Sequence, residues 1–198
     1  MPISVSTKAS HYPITLEEAK EHLRVTDTNS DSYIQGLIAM VTEYVEGVTS
    51  RTLITTQYTW TRDEFPRAQC MLVPKPPLQS ISSITYIDTN QSTQTWGSTY
   101  YTVDTASVPA RICPAYQETW PITLNVPNAV TVTYTAGYGN HLGAVPEGIK
   151  HAIKFLVAHY WSNRQESVTA AALVTSVNTP KASDWLLARY QVPFFEGY

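Results

Sequence analysis

Apolar residues recur at helical spacing near both ends of this chain and alternate with polar ones through its middle, which divides it before any motif is considered. Thr15 and Glu18 have the T-x-x-E form of a capping box, and Leu16, Ala19 and Leu23 supply a short apolar stripe, so a first helix is predicted from Thr15 to near Val25. A turn through Asp27-Thr28-Asn29-Ser30-Asp31, with Asn29 or Ser30 as N-cap, leads to a second helix. There Ile34, Leu37, Ile38, Val41, Tyr44, Val45 and Val48 form one face to about Ser50. The stretch 145–166, VPEGIKHAIKFLVAHYWSNRQE, is expected to be the longest helix, about 30 Å of spine. Pro146 takes its first position, Glu147 its acidic first turn, and Ile149, Ala152, Ile153, Leu156, Val157 and Tyr160 its core face. Phe155 and Trp161 project to either flank of that face, beside His151, Lys154 and Ser162, either covered by the same chain or exposed for another.

After Arg51 the period becomes two. Tyr58, Trp60 and Arg62 alternate with Gln57, Thr59 and Thr61, and Met71 and Val73 run into Pro74-Lys75-Pro76-Pro77, which no central strand could hold. Strands are predicted around Ile84–Ile87, Thr93–Trp96, Tyr100–Val103, Arg111-Ile112 and Val130–Thr135, with a turn at Asp88–Asn90 and a break at Gly137-Tyr138-Gly139. The fold class is therefore α+β: N-terminal helices and a long C-terminal helix packed together, with an inserted antiparallel β-domain that forms a small sheet or barrel. By residue, 1–13 is an extended arm expected to order on contact with another surface. Residues 14–50 plus 145–166 form the helical core, 51–139 the β-domain, and 167–198 a loop or hairpin, a short helix and an aromatic tail. That last helix begins at Thr179-Pro180 and carries Ala182, Trp185, Leu186 and Tyr190 on its apolar side. Phe194, Phe195 and Tyr198 of the tail either dock on a partner or fold back over their own subunit.

Composition narrows the function. With 198 residues, 43% of them hydrophobic, a core is assured. A net charge of −3 without any Lys/Arg run excludes a chain that grips nucleic-acid phosphates. The N-terminus lacks a signal peptide and no segment is long and apolar enough for a membrane span, so a secreted or membrane-embedded protein is not expected. Cys70 and Cys113 stand alone and far apart, which reads as two buried thiols of a reduced intracellular protein, a single disulfide being the alternative.

No catalytic or metal signature is found, and no cofactor is implied. The cluster 27–31 lacks the glycine and closing glutamate of a calcium loop. The glycines of 137–143 lack the Lys-Ser/Thr and βαβ setting of a phosphate cradle. The five histidines, His11, His22, His141, His151 and His159, make no H-x-x-x-H pair or Cys/His cluster, and no G-x-S-x-G elbow occurs.

Several stretches together resemble the head–tail connector, or adaptor, proteins of long-tailed bacteriophages and prophages, in the branch with an inserted β-domain. They are Ile14–Leu23, the helix ending Tyr44-Val45-Glu46, Val73–Ile81, Tyr101–Thr105 with Pro109–Ile112, and Val132–Tyr134 leading through Gly137–Gly139 to Val145–Glu147, in the same order over roughly 14–165. The departures are the Ala/Val/Thr stretch before the last helix and the aromatic tail. The resemblance implies a ring, twelve-membered in the family, beneath the portal of the capsid. Tail or stopper proteins attach to it, and genomic DNA passes through its lumen without sequence-specific binding. The protein would reside in the virion neck, and in the host cytoplasm during assembly. His151, Phe155, Trp161 and Ser162 are then candidates for the contact between subunits. Trp185, Tyr190, Phe194, Phe195 and Tyr198 are candidates for docking on the portal or another partner. The alternatives are a tail-completion or stopper protein, which shares this composition, and a β-domain that stacks a sugar or small ligand on Trp60, Trp96 or Trp120.

Overall fold

The computed structural model describes residues 2–7, 9–141, 143–163 and 181–192. Eight strands and four α-helices follow in the order β1 (Ile3–Thr7), α1 (Leu16–Leu23), α2 (Asp31–Thr49), β2 (Thr56–Arg62), β3 (Met71–Leu72), β4 (Leu78–Ile87), β5 (Thr93–Thr95), β6 (Tyr101–Asp104), β7 (Arg111–Pro114), β8 (Val130–Ala136), α3 (Glu147–Ser162) and α4 (Lys181–Ala188) among the described residues. They divide into two compact units. One comprises the residues before His11 together with Ser50–Gly139; the other comprises His11–Thr49 and the described part of Asn140–Gln191.

The β unit has two layers. A five-stranded antiparallel sheet in the order β1-β2-β8-β4-β5 and a three-stranded sheet β3-β7-β6 enclose one core. The strict alternation of β2 and β8 is what this packing requires: Tyr58, Trp60 and Arg62 and their cross-strand partners Tyr134, Val132 and Val130 are all buried, while Gln57, Thr59, Thr61, Thr131, Thr133 and Thr135 line the other face. Buried polar groups are paired. Tyr134 donates its hydroxyl proton to the Pro74 carbonyl at 3.0 Å, and Thr52 and Tyr58 share a hydroxyl hydrogen bond of 2.9 Å. Beyond β8 the chain needs a residue without a side chain. Gly137 has φ +127°, and a Cβ there would stand 2.7 Å from the backbone of Ile54 and Thr55.

Two expectations are corrected in this unit. The arm over 1–13 does not wait for an outside surface, because Ile3–Thr7 pairs antiparallel with β2, Ile3 opposite Trp60 and Val5 opposite Tyr58. Cys70 and Cys113 are not two buried thiols but a disulfide, each half-buried. Spacing hid this: the cysteines are 43 residues apart, and only the pairing of Met71 with Ile112 brings the sulfurs together.

In the helical unit α1 starts at the expected capping box. The Glu18 N–H donates to Thr15 Oγ1 at 3.0 Å, and the Thr15 N–H to the Glu18 carboxylate at 2.9 Å. It ends at Arg24, earlier than Val25, with a left-handed C-cap. The longest helix is α2, with 19 residues, and not α3, which has 16. Pro146 is the N-cap of α3 rather than its first residue, and Asn163 its C-cap, so the spine is nearer 24 Å than 30 Å. Ile34, Leu37, Ile38, Val41 and Val45 of α2 and Ile149, Ala152, Ile153, Leu156 and Val157 of α3 are buried, and these two helices pack together, with α1 and α4 against them. Tyr44 departs from its expected core place and is 39% exposed; Thr42 and Thr49 are buried instead. Their hydroxyls donate to the carbonyls of Ile38 and Val45, each at 2.7 Å, which lets a threonine replace an apolar residue without leaving a polar group unpaired.

Candidate subunit and partner interface

The residues expected to meet other chains lie mostly in the helical unit, and their placement follows from helix geometry. At 100° per residue Phe155 and Trp161 diverge to opposite sides of the buried face of α3. Each leans on a ring of its own chain. Phe155 lies edge-on to His22 of α1 at 5.9 Å between centroids and remains 38% exposed, whereas Trp161 lies 5.8 Å from Tyr33 of α2 and is half-buried. His151 and Ser162, both exposed, share the outward side with Phe155.

Titratable groups surround Phe155. His22 is held below the ordinary imidazole range, first by partial burial and then by the charges of Lys154 and His151, so its neutral form is favoured beside the phenyl ring. Lys154 also faces Glu18 at 3.8 Å. Glu147, at the start of α3, sits below the usual carboxylate range because Lys150 donates to it at 2.5 Å.

α4 has one buried and one exposed side. Ser183 and Leu187 are buried, Leu186 is half-buried, and Ala182 is exposed. Tyr190 lies over α3, where its hydroxyl would stand 3.1 Å from a Cβ on Gly148, so it is part of the packing of its own unit. Trp185 points away and is 80% exposed. Thr179 and Pro180, the stretch 167–178, and Phe194, Phe195 and Tyr198 lie outside the described residues.

Sequence reasoning missed a second exposed set, Tyr33, Met40 and Tyr44 on the outer side of α2, at 40%, 44% and 39% exposure. Their spacing of seven and four was legible, but Tyr44 was absorbed into the core stripe. Tyr116 and Ile122 of the β unit, 91% and 79% exposed, lie between β7 and β8, where the sequence has no periodicity to signal them.

Trp60 and Trp96 are 3% and 6% exposed, and Trp120 is stacked on Phe65 at 5.0 Å with its Nε1 donating to the Ala68 carbonyl. Their faces are used by the core, which removes the residues on which a sugar-binding reading rested. Among the described residues no group of three or more His, Cys, Asp or Glu is placed to hold a metal ion, and no helix is long and apolar enough to cross a membrane.

The family model of head completion proteins matches residues 13–183. The chain belongs to the head completion protein family. It is accordingly a structural protein of head completion. A comparison with curated proteins finds no match. Solved structures share the fold. A chain in the virion of a native gene transfer agent particle aligns with a TM-score of 0.77 and 18% identity, covering 100% of this chain and 99% of that one. Chains in the neck of the empty particle, computed with C6 symmetry, and in the neck of the native particle, computed with C12 symmetry, align at TM-scores of 0.75 and 0.72 with 19% and 20% identity, again over 100% and 99%.

Proposed function

We propose that this head completion protein closes into a twelve-membered ring beneath the portal, presents a platform to tail or stopper proteins, and lets genomic DNA pass through its lumen. The observation that carries this reading is the family match over nearly the whole chain, and the C12 symmetry of the neck that holds a similar chain supports the subunit number. The chain's own chemistry is in keeping with it. A net charge of −3 leaves no cluster to retard a passing polyanion, since each phosphate-neutralising contact would add affinity. The role is structural rather than catalytic.

In this reading Phe155 with His151 and Ser162 on the outer side of α3, and Trp161 beside Tyr33, form the contact between subunits. The exposed Trp185 and the tail residues Phe194, Phe195 and Tyr198 dock on the portal, while Tyr190 holds α4 to α3. A tail-completion or stopper protein would share the composition; the helix–helix–β–helix order favours the adaptor. Deletion of Phe194–Tyr198 tests the docking assignment: particles assembled with the truncated chain should lack it at the neck, and undiminished incorporation would refute the assignment.

A further inference from the structure

The amino-terminal strand is weakly buried. All five residues of β1 are exposed. Ile3 and Val5 stand opposite Trp60 and Tyr58 and so share the core face of the sheet. They nevertheless remain 37% and 54% exposed, against 3% and 6% for their partners. What β1 supplies to β2 is hydrogen bonding with little burial: besides the ladder, Ser6 and Thr59 share a hydroxyl contact of 2.6 Å and Ser4 Oγ donates to the Thr59 carbonyl at 3.3 Å. The edge it covers needs a strand. Along Thr56–Arg62 the only charged side chain, Arg62, is turned inward, and the edge carries no proline or outward lysine to blunt it.

The link between β1 and α1 is long. From Thr7 to Pro13, where the chain becomes buried, an extended chain reaches about 20–22 Å. A weakly buried terminal element, a long link and an identical acceptor edge on every copy are the conditions for exchange between protomers. Resting on the ring reading above, we infer that β1 is exchanged in the assembled ring, the strand of one copy pairing with β2 of the next in the same register, Ile3 opposite Trp60 and Val5 opposite Tyr58. Exchange keeps every hydrogen bond and alters only which chain supplies it. It runs in one direction, so it closes with the ring. The arm thereby becomes a strap that an isolated subunit folds onto itself and a ring passes along.

The test places the two sides of the contact on different chains. Ser4→Cys and Thr59→Cys variants, each carrying one added thiol, are mixed in equal amounts, assembled with the portal, and treated with a short thiol–thiol cross-linker; Cys70 and Cys113 are bonded to each other and do not compete. A covalent dimer from the assembled ring is the expected result, and the chain carrying both substitutions should give a ladder of oligomers. A ring whose separate variants stay unlinked, while the double variant links only within one chain, overturns the exchange and leaves the ring reading standing. If no ring forms with either variant or with the unsubstituted protein, the ring reading fails and the exchange with it.

Discussion

Gly137 and Tyr134 show how single residues hold the β unit. Gly137 combines a left-handed φ with backbone atoms 2.7 Å from where a Cβ would be. Gly137→Ala should therefore cost about 3 kcal/mol, from backbone strain plus overpacking, read as a shift in urea midpoint with an unchanged slope. A neutral result would mean that the turn relaxes freely. Tyr134→Phe leaves the Pro74 carbonyl without its donor and should cost about 1–2 kcal/mol, whereas Thr59→Val on the open face should be near neutral. Asp104 provides a pH signature. Hydrogen bonds from Ser107, then from Arg111, hold its carboxyl well below the usual carboxylate range. A depressed folded-state pKa contributes stability that is complete above the unfolded value near 4 and is lost as pH falls through the folded value. Asp104→Asn should thus lower the melting temperature at pH 6 and lose most of that effect near pH 2; an equal loss at both would mean the bonds do not depend on the charge.

At the scale of elements, the sequence made most of the fold legible because period and caps are local. The capping box of α1, the alternation of β2 and β8 and the stripe of α3 lie where the pattern placed them. What was not legible depended on partners distant in sequence. Tyr44 fits the α2 stripe by angle alone, yet Thr42 and Thr49 are buried because the side of α2 that meets α3 is set by packing and not by the most apolar angle. On α4, Leu187 is buried and Trp185 exposed, a division that packing sets and that the short sequence of the helix does not show. For the disulfide, chain-entropy reasoning for a 43-residue separation gives a stabilisation of about 4 kcal/mol. Reductant, or Cys70→Ser with Cys113→Ser, should lower the thermal midpoint of the β unit accordingly, and an unchanged midpoint would mean the unit is held without it.

For the whole molecule, the account separates what folds the chain from what assembles it. The side chains proposed for contact, Phe155, His151, Ser162 and Trp185, are outside the two cores, and truncating them should leave folding intact. Phe155→Ala should change stability by no more than about 1 kcal/mol while weakening ring formation at least tenfold; Trp161→Ala, which also uncovers Tyr33, should do both. Circular dichroism checks the first quantity and sedimentation of the ring the second, and unfolding by Phe155→Ala would return that residue to the core. The candidate site was legible in part: helical angle placed Phe155 and Trp161 correctly on the two flanks of α3, but which ring of the same chain lies beside each is a matter of tertiary contact. The most direct measurement mixes the purified protein with the portal ring of the same genome and images the product by electron microscopy. The account predicts an added twelve-fold collar on the portal; a bare portal beside soluble monomers would contradict it.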